Sequence, residues 1–244
     1  MKKVLKFALR ALLLLLAALV LTVAVGFGYL YTHGMSGIAH TSAPAAGQIR
    51  VACVGDSTTY GHGITGWPKN NYPSQLQNLL GEGWHVNNYG VSSFAVQSTS
   101  DRPYATLQHY ADSLAYKADY VVFMMGCNDS KPENWVSTEA FRAELCTLLD
   151  SYAGSQIVLC TPAAAFFLEG QTEGTTNHDI QPLIVEQIAQ VCREVAAERA
   201  YTLVDIHTLT ADHAEWFAKD GVHPDNTGAA AMAQAVCDVL TGLQ

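Results

Sequence analysis

Between residues 49 and 240 the sequence alternates short runs, most of them apolar at almost every position, with longer stretches whose apolar residues recur at helical spacing. Residues 49–54, 84–89, 120–125, 157–160 and 203–206 read as strands, and residues 73–80, 138–152, 180–199 and 227–240 as helices. A strand that is apolar on both faces has to be covered on both faces. A helix between consecutive strands brings the chain back to the same edge, so the strands run parallel. The expected architecture is α/β, a three-layer α/β/α doubly wound parallel sheet. In such sheets ligands bind beyond the carboxyl ends of the strands, which directs attention to the residues that follow each strand.

A segment of different character precedes the alternation. Residues 11–30 carry no charge, and at helical rise they span about 30 Å, the thickness of a bilayer core. Lys2, Lys3, Lys6 and Arg10 precede or open this run, and no acidic residue occurs before Asp56. The positive-inside rule then gives a cytoplasmic N-terminus (1–10), a transmembrane signal anchor (11–31) and an extracytoplasmic remainder. Residues 32–48, with Gly34, Ser36, Gly37, Ser42, Pro44 and Gly47, suit a flexible linker, and residues 49–244 a single domain at the cell membrane. Cleavage of the segment as a signal peptide, with secretion, is the alternative; a signal peptide's apolar region is usually shorter, about 7–15 residues.

Four of the 13 basic residues lie in this leader, which leaves nine against 22 acidic residues. That balance excludes a strong general affinity for nucleic acid or anionic lipid, so contact with the membrane is expected through the N-terminal helix alone. The six cysteines form no C-x-x-C pair, and Cys53, Cys146, Cys160, Cys192 and Cys237 lie in strand-like or helical runs where a thiol packs as a small hydrophobe. Their pairing is left open. The nine histidines include no H-E-x-x-H arrangement, so neither metal nor cofactor is expected, and His62, His109, His178 and His213 read as surface or loop residues.

The strand ends carry chemistry. The first run leads into Gly55-Asp56-Ser57, the second into Gly90-Val91-Ser92, the third into Gly126-Cys127-Asn128-Asp129, and Asp220-Gly221-Val222-His223-Pro224 precedes the last helix. Each alone fits a turn or a helix cap. Together they supply a nucleophile (Ser57), a base (His223), a carboxylate three residues away to orient that base (Asp220), and oxyanion donors in the N–H groups of Ser57 and Gly90 and the amide of Asn128.

With these four blocks in this order the chain resembles the SGNH or GDSL hydrolases over residues 50–240. Thr58 and Cys127 stand where that family varies. The resemblance implies a flavodoxin-like sheet and a serine esterase with Ser57 as nucleophile, His223 as base, Asp220 as its orienter, and Gly90 and Asn128 as oxyanion donors. The stretch from Gly126 to Trp135, with Asn71-Tyr72-Pro73, is similar to the sialate O-acetylesterase-like or carbohydrate acetylesterase branch, which implies removal of small acyl groups, acetyl above all, from sugars. A lysophospholipase or thioesterase acting on lipid is the alternative within enzymes, and a non-catalytic glycan-binding module the alternative outside them. Tyr60, Trp67, Tyr72, Trp135 and Trp216 are aromatic residues near these motifs that would stack on a sugar if exposed, with core packing their commoner use.

Overall fold

The computed structural model of the chain describes residues 2–33 and 41–244. Helix α1 (Lys2–His33) contains the apolar stretch Leu9–Tyr29, 21 residues that are long and apolar enough to cross a bilayer and none of which is buried. The remainder alternates as the sequence predicts. Strand β1 (Ile49–Gly55) is followed by three short helices, α2 (Ser57–Tyr60), α3 (Trp67–Asn70) and α4 (Tyr72–Leu80). Then come β2 (Trp84–Gly90), α5 (Gln108–Ala115), β3 (Tyr120–Met124), α6 (Thr138–Asp150), β4 (Gln156–Cys160) and α7 (Pro182–Arg199). The chain closes with β5 (Thr202–Val204), α8 (Ile206–Thr210) and α9 (Asn226–Gly242).

All five strands are parallel, in the order β2-β1-β3-β4-β5, which is the flavodoxin-like order. Alternation along the central strands explains why nearly every position of β1, β3 and β4 is apolar. Val51, Cys53, Val122, Met124, Val158 and Cys160 face one layer, where they meet Trp67, Tyr72, Leu76, Met232, Val236 and Leu240. Their neighbours Ala52, Val54, Val121, Phe123, Ile157 and Leu159 face the other, against Phe141, Leu145 and Leu148 of α6 and Ile188, Cys192 and Val195 of α7. The chain leaves β1 for β2 on one side and comes back to β3 on the other. The carboxyl ends of β1 and β3 therefore flank the switch point, where a doubly wound sheet opens a crevice.

Three departures from the sequence reading have local causes. Asp205 ends the strand expected over 203–206 after Val204, because its carboxylate accepts the N–H of Thr208 and caps α8. The eight-residue helix α5 lacks a side-chain cap, and its few turns leave only Tyr110 and Leu114 to mark the inward face. The expected linker over 32–48 is the third. Its first residues belong to α1, residues 34–40 lie outside the described residues, and from Ser42 the chain is docked along β2. There the Ser42 N–H donates to Asn87 Oδ1 (3.0 Å), Asn87 Nδ2 donates to the Ser42 carbonyl (3.1 Å), and Gln48 Nε2 donates to the carbonyl of Glu82 (2.8 Å). All six cysteines are unpaired thiols, five buried and Cys146 half-buried; burial pushes Cys53 and Cys192 each up to about 12.

Candidate active site

Ser57 is the first residue of α2, two residues past the end of β1. The Asp56 carboxylate caps the helix by accepting the N–H of Thr58 at 3.0 Å. So abrupt a turn needs room above the strand ends, and glycine provides it. A Cβ on Gly55 would lie 2.0 Å from Thr59 Oγ1 and 2.5 Å from the Met124 carbonyl, and one on Gly90 would lie 2.2 Å from the Tyr60 nitrogen. Helix α2 therefore rests directly on β1 and β2, and Ser57, 6% exposed, is held at the crevice.

His223 arrives from a separate part of the chain, 166 residues away in sequence. Before α9, Asp220 Oδ1 accepts the N–H groups of Val222 (2.9 Å) and His223 (3.0 Å), which closes a tight turn. Its other oxygen, Oδ2, lies 2.8 Å from His223 Nδ1. A carboxylate only accepts, so the proton sits on Nδ1 and the lone pair on Nε2, which is 2.9 Å from Ser57 Oγ. Burial alone would raise the Asp220 carboxyl. The hydrogen bonds from the His223 ring and from the two backbone N–H groups outweigh it and hold Asp220 well below the usual carboxylate range. Asp220 thus stays anionic at neutral and mildly acidic pH.

On the opposite wall Asn128 and Cys127 follow β3. One amide hydrogen of Asn128 goes to the Phe94 carbonyl at 3.0 Å, which leaves the other for a ligand. Gly90 does not serve as expected. Its N–H is already donated to Asn88 Oδ1 at 2.8 Å and it does not line the cleft, so it is not available to an oxyanion. Ser93 does line the cleft, with φ 72° in the left-handed region, and neither its N–H nor that of Ser57 reaches an acceptor among the described residues. The Ser93 segment is fixed from beneath by Asp129, whose buried carboxylate accepts the N–H groups of Val96 and Gln97, both at 2.9 Å. Burial, despite those bonds, pushes Asp129 up to about 7 and Asp56 up to about 6.

Two histidines read as surface or loop residues are exposed and also line this cleft. The ring centroids of His62 and His178 lie 4.5 and 5.0 Å from that of His223, and His178 Nε2 is 3.4 Å from Asp220 Oδ2. His62, though exposed at the rim, is lowered, first by partial desolvation and then by its imidazole neighbours. Gly221 explains the approach of His178. Its φ of 74° and the absence of a Cβ, which would meet the Phe166 carbonyl at 2.2 Å, let the loop before α7 pack onto the Asp220 turn. That glycine is the one sequence signal for the contact. The cleft encloses about 250 Å³. None of Tyr60, Trp67, Tyr72, Trp135 or Trp216 lines it: the first three lie in the core, Trp135 packs against it, and Trp216 stacks on His213.

A small groove with a hydroxyl, an imidazole and a carboxylate in line is the equipment of acyl transfer. Residues 53–231 match the model of the GDSL-like lipase/acylhydrolase family. The chain belongs to that family. An acetylxylan esterase from Xylanibacter ruminicola is 35% identical over 219 residues, covering 81% of this chain, and the chain spans 44% of that relative's length. Among solved structures, a carbohydrate acetylesterase from Sinorhizobium meliloti superposes with a TM-score of 0.64 at 16% identity over 81% of this chain and all of its own. An aryl esterase from M. smegmatis does so with a TM-score of 0.64 at 16% identity over 80% of this chain and all of its own. At such identity these two show a shared fold.

Proposed function

We propose that this GDSL-like hydrolase is a membrane-anchored serine esterase that removes short acyl groups, acetyl foremost, from carbohydrate hydroxyls. The observation that carries the reading is the unbroken line Ser57 Oγ, His223 Nε2, His223 Nδ1, Asp220 Oδ2, with steps of 2.9 and 2.8 Å between side chains. In the reaction Ser57 Oγ bonds to the ester carbon while its proton passes to Nε2, and the carbonyl electron pair moves onto oxygen. The Ser57 N–H and the free Asn128 amide hydrogen receive that oxyanion, and the Ser93 N–H takes the place first expected of Gly90. Collapse breaks the bond to the sugar oxygen, which leaves with the proton from Nε2. Water then attacks the acyl-serine, giving its proton to Nε2, and the carboxylic acid departs as Ser57 regains its hydrogen.

Substrate size follows from the cleft. About 250 Å³ lined by Ser57, Ser93, Asn128, Asn177 and His178 suits a short acyl group on a polar alcohol, and offers no extended apolar channel for a lipid chain. The acetylxylan esterase relative supports the same class of ester. The apolar stretch Leu9–Tyr29 supports a retained anchor, with the basic residues before it on the cytoplasmic side and the hydrolase beyond the membrane.

The test uses the full chain in detergent. It should hydrolyse p-nitrophenyl acetate much faster than the octanoate and release acetate from acetylated xylan oligomers, and Ser57→Ala should abolish both at unchanged melting temperature. Preference for lysophospholipids or long acyl chains would replace the carbohydrate reading, and full activity in Ser57→Ala would remove the mechanism.

A further inference from the structure

His178 takes no part in the acyl transfer, yet the fold holds it against the residues that do. Its turn is tied by buried Thr176, whose N–H donates to the Ile180 carbonyl at 2.9 Å and whose Oγ1 accepts the Ile180 N–H at 3.3 Å. From that turn Nε2 approaches the Asp220 oxygen that already faces His223 Nδ1. One ligand atom each from His178, Asp220 and His223 lie within 4.8 Å of one another. A tetrahedral zinc site, with bonds of about 2.0–2.1 Å, places its ligand atoms about 3.3 Å apart. The His178–Asp220 separation of 3.4 Å already meets that requirement. The His223–Asp220 separation of 2.8 Å has to open to reach it, and the His178 side chain, 46% exposed and able to turn, supplies the rest of the adjustment.

The donor set, two imidazole nitrogens and one carboxylate oxygen, suits zinc and its neighbours in the first transition series; calcium and magnesium would want oxygen throughout. Lys131 and Asp179, of opposite charge, also line the cleft, and His62 flanks the His223 ring. We propose that His178, Asp220 and His223 form a site for a zinc-class divalent cation whose occupation switches the esterase off. The chemistry is a change of tautomer. A neutral imidazole carries one proton, so when Nδ1 gives its lone pair to the cation the proton must leave Nδ1 and Nε2 must gain one. Nε2 then donates to Ser57 Oγ and has no lone pair with which to accept the serine proton. The inhibitory half of this inference rests on the esterase reading; the binding half does not.

The two halves are tested separately. Full-length Ser57→Ala protein in detergent, stripped by chelator, is titrated calorimetrically with zinc chloride. One site is expected, and adding His178→Gln should weaken it by at least about tenfold, a scale that even an outer-shell partner of a metal reaches. In the wild type, zinc should suppress p-nitrophenyl acetate hydrolysis and excess EDTA should restore it. His178→Gln and His178→Ala enzymes, each compared with its own metal-free rate, should need at least about tenfold more zinc. Equal zinc binding with and without His178, or no binding at all, overturns the site. Zinc binding that depends on His178 in a protein without esterase activity upholds the site and removes the esterase reading instead.

Discussion

At the scale of single residues, the oxyanion wall offers the sharpest tests. Asn128 has one amide hydrogen committed to the Phe94 carbonyl and one free, so Asn128→Ala removes a donor that acts when charge develops on the substrate oxygen. The expected loss is about 3 kcal/mol of transition-state stabilisation, a fall of about 10²- to 10³-fold in kcat on p-nitrophenyl acetate. An unchanged kcat would take Asn128 out of the mechanism. Ser93 sits at φ 72°, where a Cβ is strained. Ser93→Gly keeps the N–H and should retain activity at equal or higher melting temperature. Ser93→Val, branched at the strained position, should lose about 1–2 kcal/mol of stability or more. A valine variant as stable as the wild type would mean that the segment relaxes freely.

Elements explain why those residues meet. The turn into α2 exists because β1 and β2 both end in glycine, and Gly90→Ala separates two roles for that position. Alanine keeps the backbone N–H, so a residue needed only as a donor would survive the change. The added methyl would lie 2.2 Å from the Tyr60 nitrogen and 2.7 Å from the Thr59 carbonyl carbon, and α2 would have to lift with Ser57 on it. Gly90→Ala should therefore cost about 1–3 kcal/mol by chemical denaturation and most of the esterase rate together. Retention of both would show that α2 has slack. Strands β1 and β3 were legible in the sequence because they are apolar on both faces, and Ser57, Asn128, Asp220 and His223 because they stand where strands end or the last helix begins. The availability of an N–H was not legible, since it depends on the sign of φ at Ser93 and on the side chain of Asn88 capturing Gly90. Nor was the approach of His178, which depends on a loop docking some forty residues further along the chain. Helix α5 escaped because it is only eight residues long and has no capping side chain at its N-terminus.

For the whole molecule, the buried carboxyls shape how stability varies with pH. Asp129 holds the Ser93 segment to the end of β3, and burial raises its carboxyl from 3.8 to about 7, with the nearby charge of Asp56 adding to the rise. A raised folded-state value means that the native protein keeps a proton that the unfolded chain has released. The associated stability is present below about pH 4 and is lost as pH climbs to about 7. Asp119, Asp205 and Asp220, all lowered, contribute stability that is fully present above about pH 4, so they add no slope in this window. His62, His85 and His207, lowered by desolvation, add stability as pH rises toward 6.5, in the opposite sense to Asp129 and Asp56. The wild-type curve alone therefore cannot isolate Asp129, but the difference between wild type and Asp129→Asn can. The asparagine amide group leaves Val96 or Gln97 without its acceptor, a cost of about 1–3 kcal/mol. Because only the wild type carries the titrating proton, that cost should shrink steadily in urea denaturations run from pH 4 to pH 8. A cost that grows with pH would mean that the two N–H bonds, rather than burial, govern the Asp129 carboxyl.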